Sequence, residues 1–324
     1  MCSSDLTKAR KGKRYRDDVA KFDFDLEANL IQLRDDLKDE KYMPGEYENF
    51  RIVDPKPRLI SKAPFRDRVL HHAIMNFIEP ILERSAISDT YACRREKGTH
   101  RAADRAQQFA RQYVYVLKAD IVQFFPSIDL AILMEMLRKK IRDEKALRLL
   151  QKVLDGGQHI LENEYRPVWF PGDDLFTPAE RPKGLPIGNL TSQILANFYL
   201  DPLDQFIKRR LSIKGYVRYC DDFLIFGNDR DLLQAIQEKI SRHLESLRLV
   251  IHKNKSSIYP CKKGFLFVGY RIYPYHRRLR RDNISRFRKR MKRYAQLTRN
   301  GQVTQEQWVE GVRSWLAHAS HANT

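Results

Sequence analysis

Apolar residues along the chain recur at two spacings, and each spacing predicts an element. Leu26, Leu30, Leu33 and Leu37 lie three or four apart, the stripe of a helix packed on a body. The stretch YENFRIVDPKPRLISKAPFRDRVLHHAIMNFI reads as two short strands around a Pro55 to Pro57 turn. A helix follows from about Asp67, with Val69, Leu70, Ala73, Ile74 and Phe77 on its apolar face. From Tyr113 the run YVYVLKAD is continuous and apolar, the pattern of a strand covered on both faces, and it ends at Asp120. Ser127 or Asp129 then caps a helix carrying Leu130, Leu133, Leu137 and Ile141 on one side. Residues 155–183, rich in Gly, Pro and acids, predict a loop or irregular hairpin, and GLPIGNLTSQ leads into a helix to about Leu211.

Gly215 and Gly227 bracket a hairpin, GYVRYCDDFLIFG, with Asp221 and Asp222 at its centre. A helix over 231–248, the phrase LVIHKNKSSIYP and the short hairpin GFLFVGYRIYP follow. Ile284, Phe287, Met291 and Tyr294 share one side of a helix over 283–297 whose other side is densely cationic, and Trp308, Val312 and Trp315 mark a last helix. The first six residues show no tie to the rest.

Composition narrows the class. The 324 residues suffice for two or three subdomains. No apolar run approaches the roughly 18 to 20 residues of a membrane span, and the basic start carries no secretory signal, so a cytoplasmic location is expected. Four cysteines without a CxxC pair read as reduced thiols rather than a zinc site. Sixty Lys and Arg against 41 Asp and Glu leave a net charge of +19. A field of that size favours a polyanion, and aromatics interleaved with Arg and Lys tilt the choice to nucleic acid.

Two adjacent carboxylates between buried strands demand compensation, because burying an unpaired charge is costly. A divalent cation is the simplest answer, and Asp120, at the end of the other strongly buried strand, completes the donor set. Three such carboxylates can hold two Mg²⁺ about 3.5 to 4 Å apart, which activates a primer hydroxyl and steadies a leaving pyrophosphate. Asp120 and Asp221 would ligate directly and Asp222 assist or orient, with Ile121 at the same site and Mn²⁺ able to substitute. The plain alternative for Asp-Asp is a hairpin turn. Gly172-Asp173-Asp174 is a decoy: prolines flank it and no apolar strand follows.

KADIVQFFPSI, GLPIGNLTSQ, RYCDDFLIFG, LVIHKNKSSI and FLFVGYRI come in the order and rough spacing of reverse transcriptase motifs, over about residues 50 to 275. KPRLI and FRDRVLHHAI resemble the fingers motifs of the bacterial branch. Ile187-Gly188-Asn189-Leu190-Thr191-Ser192-Gln193 resembles the segment of diversity-generating retroelement reverse transcriptases, where most bacterial enzymes carry a QGxxxSP type. YACRREKGTH and SWLAHASHA are similar to that family as well.

The resemblance implies an α+β right hand: a basic segment and helix over 1–49, fingers over 50–112, a palm over 113–276 with a fingers insertion around 140–185, and a short helical thumb over 277–324. The palm would be an antiparallel sheet flanked by helices. It also implies error-prone, adenine-mutagenic copying of a template RNA, an RNA–DNA duplex in the grip, dNTPs as substrates and a small helical accessory variability protein oligomer as partner. RNase H, integrase and endonuclease domains are not expected. Phe125 matches the ring that would collide with a 2′-hydroxyl. Lys56, Arg58 and Lys62 offer contacts to a triphosphate, Lys255 or its neighbour Lys253 a proton for pyrophosphate, and Ile187 and Gly188 a surface beside the nucleotide. Arg286, Lys289, Arg290 and Arg293, with Asn189 and Gln193, are expected at the nucleic acid. A group II intron-like, retron-like or phage-defence reverse transcriptase is the nearest alternative, and a non-catalytic RNA-binding protein on a polymerase scaffold the alternative from another class.

Overall fold

The computed structural model describes residues 3–53, 57–302 and 304–322. The fold is α+β, as expected, and divides into two compact units: residues 1–87, 121–205 and 242–250, and residues 88–120, 206–241 and 251–324. Among the described residues no helix is long and apolar enough to cross a membrane.

The first unit is organised by the helix Phe65–Glu83, which begins just after Pro64, two residues earlier than its periodicity suggested. Phe65, Val69, Leu70, Ile74, Met75 and Ile78 form its buried face. Phe77 stays 55% exposed and borders an open apolar groove with Leu37, Ala73 and Leu149. The expectation for the first six residues fails from Ser3 onward, Met1 and Cys2 lying outside the described residues: the helix Ser3–Arg10 buries Leu6 and Ala9 against Val19, Phe22, Phe65 and Val69. Of the leucines on the helix Leu26–Lys38, Leu33 is buried, and Leu26 and Leu30 pack at the edge of that same cluster. Strands β1 (Glu48–Ile52) and β2 (Arg58–Lys62) pair antiparallel; the expected turn between them includes residues 54–56, outside the described residues.

Asp129 caps the helix Leu130–Arg138 by accepting from the Ala131 and Ile132 amides at 2.9 and 3.0 Å. The helix expected to reach about Leu211 does run to Arg210, as Leu190–Tyr199, Asp201–Gln205 and a π-helical stretch Phe206–Arg210, with one interruption at Leu200. Pro202 explains the interruption at Leu200: it has no amide hydrogen to donate to the Phe198 carbonyl four residues back and its ring crowds that carbonyl, whereas a first turn tolerates it. The 155–183 segment is irregular apart from a turn at Glu162–Glu164 and the short helix Thr177–Glu180.

The second unit holds a four-stranded antiparallel sheet in the order β4-β5-β3-β6, made of β3 (Tyr115–Ala119), β4 (Tyr216–Tyr219), β5 (Asp222–Gly227) and β6 (Ser257–Pro260). β3 is central, with Val116, Leu117 and Ala119 fully buried. The helix Thr99–Gln112 brings small residues, Ala102, Ala103 and Ala106, into one core with Val116, Val217 and Leu224, so the helix can lie close to the sheet. A second sheet, β7 (Phe265–Phe267), β8 (Tyr270–Ile272) and β9 (Arg277–Leu279), adds one strand to the expected hairpin. The helices Arg281–Arg299 and Gln305–Ala319 meet where Phe287 stacks on Trp315, centroids 3.9 Å apart.

Candidate active site

Strand register assembles the three acids. Lys118 pairs with Leu224 and Ala119 with Phe223, so one step further Asp120 comes level with Asp222. On the other side Lys118 pairs with Ser257, and two steps further Lys255 comes level with Asp120. Tyr219 pairs with Asp222, leaving Cys220 and Asp221 as a two-residue turn. Cys220 takes φ +54, the positive value such a tight turn requires. The turn reading of Asp-Asp thus holds for Asp221, which sits in the turn, while Asp222 opens β5, and this geometry leaves the cation reading open.

Asp120 Oδ2 accepts from Lys255 Nζ at 3.0 Å, so Lys255 rather than Lys253 is the lysine at the acids. The Asp120 carbonyl accepts from the His252 amide at 2.8 Å, and its own amide donates to Ser256 Oγ at 3.4 Å. Asp222 Oδ2 accepts from Lys118 Nζ at 2.9 Å, while Oδ1 is buried with no hydrogen-bond partner. Burial pushes the Asp222 carboxyl up to about 6; Lys118 opposes the shift, and the charges of Asp120 and Asp221 add to it. The Cys93 thiol, with burial, holds Cys220 above the ordinary thiol range, and the two form no disulfide.

Among the described residues no three His, Cys, Asp or Glu side chains converge as a ready metal cluster; Asp120 and Asp222 each give an oxygen to a lysine instead. The donor chemistry nevertheless fits a hard divalent cation, because every donor is a carboxylate and one buried oxygen is unspent. The Gly172-Asp173-Asp174 triplet lacks that setting, as expected. The Asp173 side chain is 1% exposed and ion-paired with Arg181 and Arg248, and Asp174 Oδ1 accepts from the Phe176 and Thr177 amides. Burial raises the Asp173 pKa, but the Phe170 amide and the two guanidiniums outweigh it and leave it below the usual range.

The sequence model of the reverse transcriptase (RNA-dependent DNA polymerase) family matches residues 52–272, more than half of the chain and all three acids. The chain belongs to the reverse transcriptase family. It is 27% identical over 292 residues to protein YkfC of Escherichia coli, covering 76% of this chain and 72% of that protein. It is 26% identical over 185 residues to the group II intron-encoded protein LtrA of Lactococcus lactis, covering 56% of this chain but 28% of LtrA. A solved telomerase from Candida albicans shares the fold at TM-score 0.52 and 13% identity, over 74% of this chain and 46% of the telomerase.

Other expected residues of this reverse transcriptase lie in the first unit. Arg58 is exposed at the start of β2, and Lys56 is outside the described residues. Lys62 is already paired, with Glu48 at 2.8 Å and Asp18 at 2.9 Å, and the Glu48 hydrogen bond lifts its pKa ahead of the Asp18 contact. Phe125 is half-buried, edge-on to Phe124, and Ile121 is fully buried. Ile187 gives its carbonyl to the Ser61 amide at 2.8 Å. Gly188 takes φ +128 at the exposed edge, where a Cβ would stand 3.0 Å from Ile60 Cγ2. Asn189, expected at nucleic acid, is instead buried at 2% exposure: its amide donates to the Ser61 carbonyl at 2.9 Å and accepts from the Ala63 amide at 3.2 Å. Gln193 is exposed.

In the second unit Lys289, Arg290 and Arg293 are exposed, whereas Arg286 is half-buried and donates to Asn283. The residue missed by sequence reasoning is Lys118. A lysine inside an otherwise apolar strand, two positions before Asp120, was the available signal.

Proposed function

We propose that this reverse transcriptase is an active RNA-directed DNA polymerase that adds deoxynucleotides to a primer on an RNA template. The observation that carries the reading is the register that levels Asp120 with Asp222 beside the Cys220–Asp221 turn, with a buried carboxylate oxygen unspent. Asp120, Asp221 and Asp222 would hold divalent ions, Mg²⁺ by preference, and such ions supply activation of the primer hydroxyl and neutralisation of the pyrophosphate. Lys255 would protonate the leaving pyrophosphate, a role supported by its contact with Asp120. Phe125 is the ring to exclude a 2′-hydroxyl, Arg58 the exposed fingers cation for the triphosphate, and Arg286, Lys289, Arg290 and Arg293 the contacts to the duplex backbone.

The test is primer extension on a defined RNA template with Mg²⁺ and either dNTPs or rNTPs, with RNA affinity measured in parallel. Wild type makes DNA. Asp221→Ala keeps RNA affinity and loses at least about 100-fold in extension, since loss of a direct ligand should exceed the roughly 10- to 100-fold typical of outer partners. Equal extension by both proteins rejects these acids. RNA binding with no extension by wild type leaves the non-catalytic scaffold.

The finer reading is the mutagenic polymerase of a diversity-generating retroelement, supported by Ile187-Gly188-Asn189 and Ser192-Gln193. A branched alkyl side chain at Ile187 offers no hydrogen bond with which to check the nascent pair. Errors concentrated opposite template adenines, and fewer of them in Ile187→Gln, are the expected outcome. A small helical accessory protein oligomer on the basic surface belongs to this reading. The similarity to group II intron-encoded LtrA favours a second one, for which faithful DNA products speak.

A further inference from the structure

Lys118 lies on β3 two residues before Asp120, so both side chains leave the same face of the sheet. Its register partner Leu224 shares that face with Asp222, which places Asp222 at the diagonal position, within reach of a long side chain. Lys118 Nζ meets Asp222 Oδ2 at 2.9 Å and the Leu266 carbonyl of β7 at 2.9 Å. Both side chains are mostly covered, 20% exposed for Lys118 and 26% for Asp222, unlike an ordinary surface pair. One ammonium therefore spends two of its three donors on two separate structures, the acid strand and the β7–β8 hairpin.

We propose that Lys118 is a positioning residue for polymerisation: it pins Oδ2 of Asp222 to the β7–β8 hairpin and so turns Oδ1 towards the divalent cation. This rests on the polymerase reading above. Lysine suits the task where arginine does not. A point-charge donor can take one carboxylate oxygen and a carbonyl in different directions, whereas a planar guanidinium fork matches both oxygens of a carboxylate at once. Arginine at this position keeps the charge and occupies the oxygen that the cation needs.

The experiment compares wild type, Lys118→Met, Lys118→Arg and Asp221→Ala. Mn²⁺ binding without nucleotide is followed by the loss of the free Mn²⁺ electron paramagnetic resonance signal, and primer extension is titrated with Mg²⁺. Lys118→Arg should melt within a few degrees of wild type yet bind Mn²⁺ about 10- to 100-fold more weakly and need correspondingly more Mg²⁺. Lys118→Met should weaken binding likewise; if it does not fold, the arginine variant carries the test. Wild-type Mn²⁺ affinity and Mg²⁺ dependence in Lys118→Arg overturn the proposal, because charge alone then suffices. Failure of the polymerase reading looks different: wild type does not extend, or Asp221→Ala extends and binds Mn²⁺ as well as wild type, and the proposal falls with it.

Discussion

At the scale of single residues, burial decides which ionisable groups change behaviour. His71 is 3% exposed and its Nδ1 finds no hydrogen-bond partner. Burial depresses its pKa to about 4, with Asp67 opposing and His72 and Arg68 adding to the shift. The unfolded chain, with an ordinary histidine near pH 6.5, therefore binds a proton that the fold refuses. The contribution of His71 to stability is full above about pH 6.5 and is lost as pH falls through about 4, by up to about 3 kcal/mol. Urea midpoints at about pH 7 and about pH 5 should differ less in His71→Asn than in wild type. An identical difference in the two proteins would show that His71 is not the group involved. Cys220 illustrates a second residue-scale constraint: a non-glycine at φ +54 is held where the acids need the turn.

Elements of this protein are joined by side chains that stand in for missing backbone partners. Asn189 bridges Ser61 and Ala63 much as another strand would, so IGN docks its own loop on β2. Asn189→Ala strands a buried carbonyl and amide at a cost of about 1–3 kcal/mol. The check is chemical denaturation, with faster amide exchange at Ala63; an unchanged midpoint and exchange rate sink this role. The IGN letters are legible in the sequence, with Ile187 and Gly188 expected beside the nucleotide and Asn189 at nucleic acid. Their backbone partners are not, because Ser61 lies 128 positions away. Helical periods are legible where one face packs, as in Leu130–Arg138, and over the run from Leu190 to Arg210, where only the interruption at Leu200 ahead of Pro202 escapes the pattern.

For the molecule as a whole, a net charge of +19 is the property most open to measurement. The helix Arg281–Arg299 carries exposed Arg288, Lys289, Arg290, Lys292 and Arg293 with Asp282 as its one acid. Pairing of these cations with phosphates releases counterions, so log affinity falls linearly with log salt. Changing Lys289, Arg290 and Arg293 together to Gln should flatten that slope by about 0.7 to 0.9 for each phosphate that is no longer neutralised. A slope equal to wild type on an RNA–DNA duplex assigns those charges to solvent.

Much of the site is local in the sequence. An apolar strand ending in an acid, and a hairpin with two acids at its turn, follow from the alternation of side chains and the chemistry of turns, and the family motifs add their order. Tertiary structure alone could decide how the strands pair. Register makes Asp120 level with Asp222, selects Lys255 over Lys253 and brings Lys118 diagonally onto Asp222, whereas a slip of one residue would send each of those side chains to the opposite face. The same holds for Asp173, whose triplet resembles a catalytic one while its carboxylate closes on Arg181 and Arg248. Hydrophobic period is a property of neighbouring positions and survives in the sequence. Which charge meets which is a property of distant ones, and burial sets its energy only once the chain has folded.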